Sequence, residues 1–373
     1  QLYGAKREEE LRRAASTLLI TQAALGAALA VFGCLGANML VVGLMRVTDA
    51  ASRDYAIEYF AIYAVGLVFQ YVYNAVAGIL RAVGDTRRPL LYLFAGGVVN
   101  VGFNLFFVIV CHMGVAGVAI GTVMSQCIAA FLTVRCLVKT DDHYGLKLRR
   151  LRIVKHKLFR ILRVGIPTGI QGAVFSISNV LIQSAINSFD SSIIVAGNTA
   201  SSSIENFVYT AMYSVYQASL TFTSQNVGAN KVKRIVPILL WCLLCVAAVG
   251  IVLGSLATLF GRPLLAIYDP NPDVIAYGFD RLSLIATTYF LCGLMDVVCG
   301  SIRGLGPSIT PTIVSLVGVC ALRILWIYTV FAANRTLRVL YWSYPVTWTV
   351  TFLAHLVCFI VFFRRWKKRV EAR

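Results

Sequence analysis

Charge is scarce in this chain. Only 13% of its 373 residues are charged, against about 25% in ordinary soluble domains. Acids are the scarcer sign, with 16 Asp and Glu against 34 Lys and Arg. So little polar sequence cannot cover a molecule of this size in water, and lipid is expected to be its main solvent. No apolar run alternates with period two, which excludes a membrane β-barrel. No HExxH, GxSxG or Walker sequence occurs, and no paired acids or His–Cys set lies at helical spacing, so an enzyme is not expected. The four histidines, at 112, 143, 156 and 355, are scattered, and the ten cysteines fall mostly inside apolar runs. Even Cys242 and Cys245, one helical turn apart, lack further ligands nearby, and neither a metal site nor a cofactor is expected.

Apolar sequence is abundant: 58% of residues are hydrophobic and mean hydropathy is +0.77. Runs long enough to cross a bilayer, about 20 residues each, lie at 15–45, 55–80, 90–111, 114–138, 165–189, 193–222, 236–260, 273–302, 311–333 and 340–363. The expectation is an all-α integral membrane protein with ten transmembrane helices. Counting Lys and Arg in alternate connections places 27 of the 34 on one side, with the C-terminal tail, and five on the other. By the positive-inside rule the rich side is cytoplasmic. The net charge of +18 then reads as an orientation signal, and no nucleic-acid partner is expected.

The chain repeats itself. GILRAVGDTRRP at 78–89 is echoed by GSIRGLGPSITP at 300–311, pairing Gly78 with Gly300, Arg81 with Arg303, Gly84 with Gly306 and Pro89 with Pro311, each 222 residues apart. Gln1, Gly4 and Ala5 are echoed by Gln225, Gly228 and Ala229 at an offset of 224. An even number of helix starts separates the echoes, which predicts two parallel six-helix repeats related by an axis along the membrane normal. The second half shows six helices and the first only four, so two further helices are expected ahead of Gln1, as in an N-terminally truncated chain. The expected organisation is an incomplete N-terminal lobe at 1–138, a basic linker at 139–164, a C-terminal lobe at 165–363 and a basic cytoplasmic tail at 364–373. Leu148, Leu151, Val154, Leu158 and Ile161 recur at helical spacing among basic residues in the linker, which predicts an amphipathic helix on anionic lipid. In the echoed motif the arginines are expected to reach headgroups or helix-end carbonyls, the glycines to permit a tight turn, and the prolines to open the next helix.

GILRAVGDTRRPLLYLFAGGVVNVGFNLFF, GVAGVAIGTVMSQ, TSQNVGANKVKRI, GSIRGLGPSITP and CALRILWIYTVF, in this order, resemble the MATE family of multidrug and toxic compound extrusion transporters, especially its bacterial branch. The resemblance implies two six-helix lobes around a cavity facing alternately inward and outward. It implies export of small organic, often cationic compounds driven by Na⁺ or H⁺, by a monomer in the inner (plasma) membrane. It also implies a cation site in the first lobe of many members, formed by an Asp on the first helix, an Asn and an Asp four apart on the fifth, and a Thr on the sixth. Asn100 matches the Asn and Thr122 the Thr, but Asn104 stands in place of the second acid. The acid that some relatives carry on the seventh helix has no counterpart at 165–189.

Ionisable groups deep in a membrane are costly and mark function by default. Glu205 and Asp296 are the acids that fall well inside predicted helices, and the position 222 residues before Asp296 is Asn74. Asp296, helped by Glu205 and Asn179, is the candidate coupling-ion site. Gln171, Ser176, Gln183, Asn187, Tyr209 and Tyr213 supply a polar face suited to a wet cavity, and Arg323, inside a predicted helix, should meet an acid, carbonyls or water, with Asp296 and Glu205 as candidate partners. A flippase for lipid-linked precursors is the alternative within the same architecture; it would call for a more basic cavity than the few membrane-embedded cations provide.

Overall fold

A computed structural model of the chain describes residues 1–44, 50–140, 144–146 and 151–372. The described residues are mostly helical, with no strand among them. They fall into two compact units. The first is Leu2 and Lys6–Ile161; the second is Gln1, Tyr3–Ala5 and Leu162–Arg373.

The first unit holds α1 (Glu8–Asn38), which runs on as a π-helical stretch to Leu44, then α2 (Ala50–Val83), α3 (Arg87–Leu105) with a π-helical end at Phe106–Val110, and α4 (Gly114–Lys139). α2 packs on both α1 and α4, and α3 on α4. In α3 only Pro89 and Gly96 are buried. Its exposed Leu90, Leu91 and Phe94 are the surface that a bilayer would cover.

The second unit comprises α5 (Lys155–Asn187), which starts inside the first unit, α6 (Ser192–Gly228), α7 (Val232–Leu259), α8 (Gly261–Tyr268), α9 (Pro272–Thr288), α10 (Phe290–Leu305), α11 (Ile309–Ser315), α12 (Leu322–Trp326) and α13 (Leu337–Glu371). π-Helical segments at Leu316–Ala321 and Ile327–Phe331 flank α12. Helix starts are capped by local chemistry: Ser191 accepts from the Ile194 N–H, and Asn271 from that of Asp273, with Pro272 at the first helical position. α10 packs against α6, α7 and α13, with Met295, Val297, Val298 and Ile302 fully buried.

Among the described residues eight helical segments are long and apolar enough to cross a membrane, and a ninth is made if α9 and α10 count as one span. This is a multi-pass membrane protein. Two features differ from the spans expected above. α6 has the length, at 37 residues, but carries too many polar groups to pass on hydropathy alone. The expected span at 273–302 is bent by 43° between α9 and α10. The Thr287 and Thr288 hydroxyls donate to the carbonyls of Ser283 and Leu284 one turn back (2.6 and 2.8 Å), a contact that bends helices.

The linker also departs from expectation. Leu151 and Val154 are not helical, and only Leu158 and Ile161 lie in a helix, the start of α5; Leu148 and His143 fall outside the described residues, as does Arg46. The segment is held extended because hydroxyls of α1 take its backbone donors. The Arg152 N–H donates to Ser16 Oγ (2.8 Å) and the Val154 N–H to Thr17 Oγ1 (3.1 Å). Lys157, almost fully buried, donates to Glu10 at 2.6 Å.

The echoes have physical counterparts. Gly84 and Gly306 end α2 and α10 with φ of +100° and +125°, a region that L side chains rarely adopt. Pro89 and Pro311 are each the third residue of their helices. Gly78 and Gly300 differ, since a Cβ at Gly78 would meet nothing while one at Gly300 would press on Tyr216. The Gln/Gly echoes meet each other: a Cβ on Gly4 would lie 1.9 Å from the Gln225 carbonyl oxygen, and one on Gly228 would lie 2.0 Å from that of Gln1. Each glycine is required by the backbone of the other motif.

Candidate transport site

Three polar clusters contain the singled-out residues. In the first unit α3 places Asn100 and Asn104 one turn apart, facing Thr122 on α4. Asn100 Nδ2 donates to Thr122 Oγ1 and Ser125 Oγ (both 3.4 Å), and Asn104 Nδ2 donates to Asn100 Oδ1 (3.3 Å). Asn104 Oδ1 is buried without a partner. Every group in this cluster is neutral.

The second cluster is an ion pair. Glu205 on α6 and Arg281 on α9 are each 5% exposed. Arg281 grips the carboxylate with two parallel bonds, Nε to Oε1 at 2.9 Å and Nη2 to Oε2 at 2.8 Å. Ser201 donates to the same carboxylate at 3.0 Å. The remaining guanidinium nitrogen donates to Asn198, which donates to Gln183, which donates to Asn187 (2.5, 3.0 and 2.9 Å). Two charges so paired and bonded form a closed network. The expectation that Glu205 assists Asp296 or pairs with Arg323 is therefore corrected: Arg281 occupies it.

The third cluster surrounds Asp296 on α10, which is half-buried and lines a cavity of about 350 Å³. The walls include Phe175 and Asn179 of α5, Tyr209 of α6, Tyr289, and Tyr344 and Trp348 of α13. The rings hold one another: Tyr289 stacks on Trp348 at 5.2 Å and on Tyr209 at 6.2 Å, and Tyr344 meets Trp348 edge-on at 5.5 Å. Arg323 lines the same cavity, yet no ion pair within 4.0 Å joins it to Asp296 among the described residues. A carboxylate in an aromatic box, with no ion-pair contact among the described residues, is suited to hold an exchangeable cation.

Comparison with known proteins agrees with this architecture. The sequence profile of MatE matches residues 1–106 and 167–329.

The chain belongs to the MatE family.

It is 28% identical over 308 residues to "Probable multidrug resistance protein YpnP" of Bacillus subtilis (strain 168), covering 78% of this chain and 65% of that protein. It is 25% identical to "Probable multidrug resistance protein YoeA" of the same organism, covering 85% of this chain and 69% of that one. The chain thus spans about two thirds of the length of these relatives. Its fold matches that of a solved outward-facing multidrug resistance MATE family transporter of the MOP superfamily with a TM-score of 0.90, at 19% identity, covering 98% of this chain and 82% of that chain.

Within this MatE chain the other expected residues have definite places. Gln171 accepts from Arg303 at 2.6 Å. The Ser176 hydroxyl donates to its own helix at Gly172. The Tyr213 hydroxyl accepts from Gln217 at 2.8 Å, and its ring stacks on Tyr216 at 5.1 Å. The echoed arginines differ. Arg81 donates to the Ala77 carbonyl one turn back (3.2 Å), as expected for a helix end. Arg303, expected to do the same or reach headgroups, turns inward to Tyr216 (2.8 Å), Gln171 and Thr312. Its neighbours offer hydroxyl and amide oxygens that outcompete the helix carbonyls. Arg281, Tyr289, Tyr344 and Trp348 went unrecognised in the sequence as site residues. Arg281 carried the same signal as Arg323, a cation within an apolar run, and Tyr344 and Trp348 share a helix face at spacing four.

Proposed function

We propose that this protein exports small organic, predominantly cationic compounds across the inner membrane by alternating access, in exchange for Na⁺ or H⁺, with Asp296 as the coupling group. The observation that carries the reading is the Asp296 cavity: a lone carboxylate, free of any ion pair, inside a box of aromatic rings. Proton or Na⁺ neutralises the carboxylate from one side of the membrane. An organic cation competes for it from the other, its charge set against the ring faces. Asn179, on the same cavity wall, supplies an oxygen ligand for Na⁺. Lys and Arg asymmetry supports a cytoplasmic C-terminus beside anionic lipid. A cavity of this size with one guanidinium favours the exporter over a flippase of lipid-linked precursors, whose diphosphate calls for several cations.

The test is ethidium efflux by full-length protein in proteoliposomes, with Na⁺ and pH gradients imposed separately. Asp296→Asn is expected to keep folding and abolish gradient-driven efflux, at least a hundredfold, about 2.7 kcal/mol. Undiminished efflux by the folded variant removes Asp296 from the mechanism.

A further inference from the structure

Among the described residues no acid pairs with Arg323. It is 4% exposed, yet its single hydrogen bond among them is from Nη2 to the neutral Thr347 hydroxyl, at 3.3 Å. Its guanidinium lies over the Tyr344 ring, 4.2 Å from the centroid, and Nε has no partner. Burying an unpaired guanidinium is strongly unfavourable, and the chain solves the same problem differently at Arg281, where Glu205 grips both ends of the fork. The nearby acid is Asp296 across the shared cavity, and the two do not form an ion pair. The cavity therefore presents one negative and one positive group, neither of them in ion-pair contact with an opposite charge among the described residues.

The placement is built into the backbone. Arg323 sits in the single α-helical turn of α12, between the π-helical segments Leu316–Ala321 and Ile327–Phe331. Such widened turns re-aim side chains and collect at functional sites. Tyr344 and Thr347 of α13 then hold the guanidinium in one pose, which lowers the ordering cost of binding. A planar guanidinium held this way is suited to a carboxylate.

We propose that this cavity selects amphoteric substrates, which carry a basic centre for Asp296 and a carboxylate for Arg323 on one aromatic frame. The proposal rests on the reading of the cavity as the substrate site. A purely cationic compound satisfies Asp296 but leaves Arg323 uncompensated and repelling it. An ampholyte neutralises both.

The probe is a cationic rhodamine bearing a free carboxylate, paired with its methyl ester, which differs only in the masked acid. Binding to purified full-length protein is read by dye fluorescence anisotropy at neutral pH. The wild type is expected to bind the free acid about tenfold more tightly than the ester, equivalent to about 1.4 kcal/mol. Arg323→Gln should remove that preference by weakening acid binding about tenfold, while the ester, no longer repelled, binds at least as tightly as to the wild type, which also shows that the cavity is folded. Arg323→Lys, which retains the charge without the fork, should keep part of the preference. Equal wild-type affinity for both dyes, or an acid preference that survives Arg323→Gln, overturns the proposal. If Arg323→Gln binds neither dye, Arg323→Lys decides, and equal binding of acid and ester by it overturns the proposal too. Ester binding without acid preference leaves the exporter reading standing, whereas a wild type that binds neither dye overturns both.

Discussion

The polar interiors of the two units handle the same problem with different chemistry. In the first, Asn100, Asn104, Thr122 and Ser125 share hydrogen bonds among neutral amides and hydroxyls, and the buried cation Lys157 is closed by Glu10. In the second, Glu205, Arg281, Asp296 and Arg323 bring four charges into the bundle. A neutral network needs no counter-ion, and each of its bonds contributes about 1 kcal/mol. A charged one must be closed, as Glu205 and Arg281 are, or must draw its missing charge from outside, as Asp296 and Arg323 must. The difference fits a stabilising role for the closed pair and the exchange role proposed above for the open one.

The sharpest way to break this comparison is to open the closed pair. Glu205→Gln leaves Arg281 buried beside neutral partners and is expected to destabilise the protein by about 3–5 kcal/mol. Thermal unfolding in detergent measures it, and adding Arg281→Met should recover much of the loss. A small effect from Glu205→Gln alone would mean that the pair is not a stabilising element.

The echoed arginines sharpen the comparison at lower cost. Arg303→Gln removes charge-assisted bonds to Tyr216 and Gln171 and should cost about 1.5–3 kcal/mol, whereas Arg81→Gln removes one bond to a helix-end carbonyl and should cost under about 1 kcal/mol. Equal losses in parallel unfolding measurements would show that the two motifs are energetically alike despite their different partners.

The smallest effect is expected in the neutral cluster. Asn104→Asp places an acid beside Asn100, and if Asp296 is the coupling group as proposed, efflux should stay within about twofold, a change below about 0.5 kcal/mol. Efflux by Asn104→Asp that gains a new Na⁺ dependence would move coupling toward the first unit.

Much of this molecule was legible in its residues. Hydropathy and charge scarcity are local sums, so helices, their membrane character and most of their limits followed from composition along the chain. The MatE motifs lay in order, and the echoed glycines marked places where a positive φ or a neighbouring backbone excludes a side chain, a demand that one residue type alone meets. Tertiary structure decided which charges meet. Each residue along a helix turns a side chain by about 100°, so a bend at 288–290 or a π-helical segment beside Arg323 changes partners without changing hydropathy. That is why Glu205 found Arg281, why Arg303 turned inward while Arg81 stayed on its own helix, and why Asp296 was left facing an aromatic cavity with its charge unpaired.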